Sequence, residues 1–313
     1  MKPKRVILAL GGNTLGHTLP EQRRSAQALA ACLGELLQPA HQLVVVHGTG
    51  PQVGTIQQAM DALSREDPSC PPTPLSLCTA MSQGCLGALL QEALLGALRG
   101  QGSLRPVTTL LTQVEVDPAD PAFGRPSKPI GAFLTREEAQ ALEARGTAVM
   151  EDAGRGWRLA VPSPRPIRVV ELETIRLLLE AGQVVIAGGG GGIPVRTAQG
   201  GALQPLEAVV DKDFVAGLLA EGLDADLLLI LTAVEKVAIH FGKPNQRWLT
   251  HMTLPVAEEY IAQGQFAEGS MLPKVQAAAD FVRSAPGRRA VITSLDRCLD
   301  ALEGKCGTWV TAP

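Results

Sequence analysis

Lys128, Lys212, Lys243 and Lys274 each sit in a turn or at a helix start. They lie in Ser127-Lys128-Pro129-Ile130-Gly131, Val210-Asp211-Lys212-Asp213, Phe241-Gly242-Lys243-Pro244 and Gly269-Ser270-Met271-Leu272-Pro273-Lys274. A lysine taken at random is a solvated charge. Lysines set beside stiffened backbone are suited to hold an anion in place. Glycine joints point the same way: Gly11-Gly12-Asn13, Gly48-Thr49-Gly50 and Gly188–Gly192. A glycine joint lets backbone N–H groups approach an anion, and a helix N-terminus behind it adds positive potential. Any single joint reads as a plain tight turn. All of them in corresponding places point to a multiply phosphorylated or strongly anionic ligand.

The chain offers no nucleophile paired with a histidine and an acid. Its histidines are His17, His41, His47, His240 and His251. His47 ends a predicted strand and reads as a satisfied structural residue. Phosphoryl transfer to an oxygen that is already anionic needs no general base; its difficulty is bringing two anions together. Two unit charges 4 Å apart repel by ~4 kcal/mol at an effective dielectric of ~20. Lysines and backbone N–H groups offset that repulsion and stabilise the transferring group. Asp211 is placed to hold the ammonium groups in register, and it also reads as an ordinary N-cap.

The elements that would carry these residues follow an alternating pattern. Arg5–Leu10 and Leu43–Val46 read as buried strands that run straight into the first glycine joints. Between them, Ala26, Leu29, Ala30, Leu33, Leu36 and Leu37 recur at helical spacing. A long helix is predicted over Leu75–Leu98, then a strand at Val107–Leu111. The second half continues with a helix at Glu171–Ala181 and a strand at Val184–Ala187 that ends in the glycine run. A helix begins at Asp211, and Leu227–Leu231 is a buried strand. A further strand is expected in Val234–Ile239, a helix around Val275–Val282, and closing strands at Ala290–Thr293 and Thr308–Thr311. Such alternation predicts an α/β fold, a largely parallel sheet with helices on both faces. In open sheets of this kind ligands collect at the carboxyl ends of the strands, where the glycine joints stand.

The Pro-rich stretch 117–168 breaks the rhythm, and a capping box, Thr135 with Glu138, opens a short helix inside it. It is expected to project from the main sheet as a subdomain. No G-x-x-x-x-G-K-[ST] run exists, and Gly48, Gly50 and Gly54 miss the dinucleotide spacing by one residue.

Bulk properties exclude other classes. The net charge of -3, from 28 basic and 31 acidic residues, gives no general nucleic-acid surface. No apolar run approaches the ~20 residues that cross a bilayer, and Val6–Leu10 is too short for a signal segment. Cys32, Cys70, Cys78, Cys85, Cys298 and Cys306 form no C-x-x-C pair, so no zinc site or redox dithiol is indicated. Cys78 and Cys85 are expected to be buried on one helix face. A cytoplasmic protein is the expectation.

Taken together and in order, these runs resemble carbamate kinase, within the amino-acid-kinase superfamily. They include Leu10–Asn13, His47–Gly54, Asp120–Phe123, Lys128–Gly131, Glu151–Gly156, Gly189–Pro194, Val210–Asp213, Leu231–Val234 and Gly269–Lys274. The resemblance runs from Val6 to Val310. It implies a three-layer αβα sandwich, one domain over 1–313, with an acceptor lobe at roughly 1–182 and a nucleotide lobe at roughly 183–313. It implies a homodimer and the reversible reaction of ATP and carbamate giving ADP and carbamoyl phosphate, used catabolically to make ATP. Mg²⁺ would be held mainly by the nucleotide phosphates. Lys128, Lys212, Lys274 and Asp211 would be the catalytic set. Gly11, Gly12, Asn13, Gly48, Thr49, Gly50, Gly189 and Gly190 would bind the acceptor. Ala233, Val234, Met271 and Pro273, with Lys212 and Lys274, would bind the nucleotide.

Some positions depart from the usual pattern of that family. Thr49 stands where Asn is usual, Cys85 and Trp157 where Tyr is common, and Ala88 replaces an aromatic. Thr49 leaves open a same-fold kinase for a different small carboxylate or carbamate-like acid. Another alternative is a non-catalytic protein that binds nucleotide or carbamoyl phosphate.

Overall fold

The computed structural model describes residues 4–34, 36–152 and 156–313, with Asn13 described by its backbone only. Ala153, Gly154 and Arg155 of the Glu151–Gly156 run therefore lie outside the described residues.

Strands β1 (Arg5–Leu10) and β2 (Gln42–His47) lie near the middle of an eight-stranded sheet. Across the sheet the order is His251–Thr253, Thr308–Thr311, Arg289–Ser294, Leu227–Thr232, β1, β2, Val184–Ile186 and Val107–Thr109. Every neighbouring pair is parallel except Arg289–Ser294 with Thr308–Thr311. The central strands are apolar throughout because both of their faces are covered. Ile7, Ala9, Val44, Val46, Leu228 and Ile230 pack on one side against α5 (Leu172–Glu180), α6 (Lys212–Gly222) and α8 (Met271–Ser284). Val6, Leu8, Leu10, Leu43, Val45 and Leu229 pack on the other against α1 (Leu19–Cys32) and α3 (Leu75–Gly100). The period-two alternation of β-strand side chains makes the three layers.

The helix ends follow from local chemistry. Thr18 and Glu21 form a capping box on α1. Pro51 occupies the first turn of α2 (Gly50–Glu66), where a missing N–H costs nothing. α4 (Arg136–Glu143) starts at the predicted Thr135–Glu138 box. Strands Lys128–Leu134, Val149–Glu151 and Trp157–Val161 form a separate three-stranded sheet. It is seated on α2 by backbone contact: a Cβ on Gly54 would stand 2.2 Å from Gly131 Cα.

Two expectations change. Cys78 is buried with Val53, Leu75, Ile130 and Val209, but Cys85 is exposed. The cluster that buries Cys78 takes Leu75 and Cys78 from α3 and does not extend to Cys85. Within Val234–Ile239 only Val237–Ile239 is a strand, pairing with Arg247–Leu249 in a two-stranded ribbon.

Candidate functional site

The glycine joints meet at the carboxyl ends of β1, β2 and Val184–Ile186. Gly12–Leu15 forms a single turn after β1, and Gly11 N–H donates to Leu231 O at 3.1 Å. Gly48 N–H donates to Leu10 O at 2.9 Å. A Cβ on Gly48 would stand 2.5 Å from Gly12 N and 3.2 Å from Lys212 Cδ. Only glycine lets these backbones and that lysine converge. The run Gly188–Gly192 takes left-handed φ at Gly188, Gly190, Gly191 and Gly192. Gly189 lies against the His47 ring and Gly190 against Thr49 Oγ1. All the glycines assigned to the acceptor are therefore in one cradle, closed behind by the N-terminus of α2.

The charged residues form a chain beside it. Lys128, on the separate sheet, pairs with Asp211 Oδ2. Asp211 Oδ1 accepts from Asp213 N–H at 2.9 Å, which caps α6. Capping and site roles thus use different oxygens of one carboxylate. Asp213 carries the next link: Oδ1 is 2.5 Å from Lys212 Nζ and Oδ2 is 3.1 Å from Lys274 Nζ. Lys274 also donates to Ser270 O at 2.9 Å, which ties it to the first turn of α8.

Burial makes these charges interdependent. For Asp211, burial is the largest single influence and opposes ionisation. Lys128, Lys274 and Lys212 together outweigh it and hold the carboxyl well below its ordinary range. Burial pushes the Lys212 ammonium down; Asp213 opposes this, Lys274 adds to it, and Asp211 opposes it. Burial acts downward on Lys274 as well, but Asp213 and Asp211 raise it on balance. Burial opposes the charge of both lysines, but only Lys212 carries a neighbouring lysine's repulsion as well.

His47 corrects the sequence expectation. It is buried, but Nδ1 has no hydrogen-bond partner among the described residues. Burial lowers its pKa to about 4, with the nearby Gly48 backbone opposing and Lys212 assisting, so the imidazole is neutral near pH 7.

Asp213 and Arg158 stand beside the cradle without having been singled out in the sequence. Asp213 had a readable signal, because a carboxylate flanks Lys212 on each side. Arg158 had none, being one residue of an alternating strand. Its Nε donates to Gly131 O at 3.0 Å and its Nη1 pairs with Asp152 at 3.0 Å. A Cβ on Gly50 would stand 3.8 Å from Nη2, which places the guanidinium beside the first turn of α2.

The nucleotide assignments divide. Ala233 and Val234 directly follow the strand Leu227–Thr232, and both reach solvent. Met271 and Pro273 are in the first turn of α8 beside Lys274, but Pro273 is buried and Met271 half-buried. Lys243 lies in an exposed turn, where its N–H donates to His240 O at 3.0 Å. Among the described residues no group of three or more His, Cys, Asp and Glu converges as a metal site. Among the described residues no helix is long and apolar enough to cross a membrane.

The arrangement resembles known proteins along its whole length. The sequence profile of the amino acid kinase family matches residues 4–294. The carbamate kinase-like protein YqeA of Escherichia coli (strain K12) is 50% identical over 305 residues, 97% of this chain and 98% of that protein. A carbamate kinase of Pyrococcus horikoshii is 44% identical over 315 residues, 99% of each chain. The structure of carbamate kinase from Giardia lamblia bound to AMP-PNP superposes with a TM-score of 0.87 at 38% identity, covering 99% of both chains.

Proposed function

The chain belongs to the amino acid kinase family, and we propose that it catalyses reversible phosphoryl transfer between ATP and carbamate, giving ADP and carbamoyl phosphate. The observation that carries this reading is the buried chain Lys128–Asp211–Asp213–Lys212/Lys274 laid along a glycine cradle. Lys128 and the N–H groups of the cradle would hold the acceptor. Lys212 and Lys274 would flank the phosphoryl group as it passes, in line, from one oxygen to the other. Neither lysine needs to move a proton, since the attacking oxygen is already anionic. Their fixed positions stabilise charge that spreads over the transferring group without reorganisation cost.

Asp211 and Asp213 keep the ammonium groups from repelling one another while the site is empty. ADP or ATP would lie over Ala233 and Val234, with Met271 at the edge. Mg²⁺ fits this donor set as a partner of the nucleotide. Both carboxylates are engaged by lysines, so the ion would take its oxygens mainly from the phosphates, where it neutralises their charge. The lobes at 1–182 and 183–313 and the projecting 117–168 subdomain are read as acceptor side, nucleotide side and cover. A cytoplasmic homodimer running catabolically toward ATP completes the reading, and light scattering tests its assembly.

ATP formation from ADP, Mg²⁺ and carbamoyl phosphate tests the activity. Robust turnover, lost in both Lys128→Ala and Lys212→Ala, is expected. Well-folded protein that binds ADP but forms no ATP would overturn the assignment of carbamate.

A further inference from the structure

The run Gly188–Gly192 has no side chains to hold its shape, and glycine loses more conformational freedom on folding than any other residue. Within the run, Gly191 N–H donates to Gly188 O and Gly192 N–H to Gly189 O, both at 3.0 Å. Those bonds curl the run but do not anchor it. Thr112 anchors it, and does so at both ends. Gly188 N–H donates to Thr112 Oγ1 at 2.8 Å, and Ile193 N–H, just past the run, donates to Thr112 O at 2.8 Å. The Thr112 hydroxyl gives its own hydrogen to Leu110 O at 2.9 Å, which leaves its oxygen to accept from Gly188.

Thr112 lies outside any strand, in the stretch 110–112 between Val107–Thr109 and Gln113–Val116. Its backbone is held from α3 instead. Gln83 Nε2 donates to Thr112 O at 3.1 Å, and Gln83 Oε1 accepts from Thr112 N–H at 2.9 Å. A carboxamide can meet one donor and one acceptor at once, so it stands in for a neighbouring strand. Gln83 and Thr112 are 1% and 0% exposed. Gln83 also packs on the run: a Cβ on Gly189 would meet Gln83 Cγ at 3.1 Å as well as His47 Nε2 at 2.6 Å.

We infer that Gln83 and Thr112 are positioning residues of the site: Gln83 fixes Thr112, and Thr112 fixes both ends of the glycine run, so that this wall of the cradle keeps one shape before a substrate arrives. They act through the run, not on the reacting atoms. The kinetic consequence rests on the proposed phosphoryl transfer, whereas the clamp on the run is testable without it. Backbone groups already in place need not be ordered when an anion binds. A loosened clamp therefore weakens the hold on the acceptor and leaves the nucleotide side as it was.

The test compares wild type with Gln83→Met, Thr112→Val and Thr112→Ser in ATP formation from ADP–Mg²⁺ and carbamoyl phosphate. Gln83→Met removes both carboxamide bonds at similar volume. Thr112→Val removes the hydroxyl alone, and it decides the matter if Gln83→Met does not fold. In both, KM for carbamoyl phosphate is expected to rise roughly tenfold with KM for ADP within about twofold, as when uniform binding is lost on one side only. Thr112→Ser, which keeps the hydroxyl, should stay within a few-fold of wild type. Amide hydrogen exchange, read by mass spectrometry, should quicken about tenfold in the Gly188–Gly192 segment of both variants, measured against the central strand Leu227–Thr232.

A lower kcat with both KM values unchanged would overturn the inference, since a smaller folded fraction gives that result. Exchange that rises equally in the run and the strand would overturn it too. If wild type forms no ATP, the proposed function falls and exchange decides alone. A change confined to the run then keeps the clamp, and a uniform change or none removes it.

Discussion

Two charge clusters in this protein have the same chemistry and opposite surroundings. In one, Asp213 lies between Lys212 and Lys274 with side chains 2–13% exposed. In the other, Arg283 lies between Glu258 and Asp280 with side chains 48–54% exposed. The contact distances overlap: 2.5 and 3.1 Å in the first, 2.6 and 2.7 Å in the second. Geometry alone would not rank them. Water screens the second cluster and leaves it worth little. The first is shielded, so each charge there depends on its neighbours, and removal of one leaves the others uncompensated. A site that must bring two anions together needs charges of the first kind, since only those keep their strength.

Changes that break the buried cluster should have the largest effects. Lys212→Ala is expected to lower turnover by at least ~10²–10³, as for loss of a transition-state donor, in an assay of ATP formation. Asp213→Asn should leave Lys212 and Lys274 facing each other without their shared carboxylate. Turnover should fall, and chemical unfolding should report a loss of about 3 kcal/mol, the range seen when one partner of a buried pair is removed.

Acid titration sharpens the contrast. The folded pKa of His47 is about 4 against an ordinary value of 6.5, so the unfolded chain binds more protons between those values. Stability should be full above about pH 6.5 and fall as pH drops toward 4, by roughly 3 kcal/mol in total. Asp211 acts in a separate, lower window. Its folded pKa is depressed, so its contribution is present above the ordinary value of 3.8 and is lost as pH falls below it. Urea midpoints measured from pH 7 to pH 4 should decline in wild type and flatten in His47→Gln. A decline of equal slope in that variant would assign the loss elsewhere.

The smallest effect belongs to the exposed cluster. Arg283→Ala should change unfolding free energy by less than about 1 kcal/mol and leave turnover as in wild type. A large loss would show that exposure is not what separates the two clusters.

The site was unevenly legible in the sequence. Lys128, Lys212, Lys274 and the glycine joints stood out because turn chemistry marks them, and they do converge. The capping box at Thr135 and the start of α6 at Asp211 are local signals, and both hold. Arg158 was not legible, since what draws it to the cradle is the seating of its sheet on α2, a contact between distant segments. Cys85 and His47 were misjudged for a related reason. Helical spacing says which residues share a face, but not where the covering elements end, and an apolar strand does not reveal which polar atoms stay unpaired at its tip.

By itself the sequence determined the alternation of strands and helices, the parallel sheet that follows from it, and the residue types at each strand end. Those depend on side-chain periodicity and on the backbone limits of glycine and proline, which are local. The tertiary structure alone decided that Asp213 is shared by two lysines, that Lys128 reaches Asp211 across 83 positions of chain, and that Thr49 Oγ1 is sealed with no partner among the described residues. Each of these arises where segments far apart in sequence exclude water from the same small volume. Only that exclusion sets how strongly the charges act.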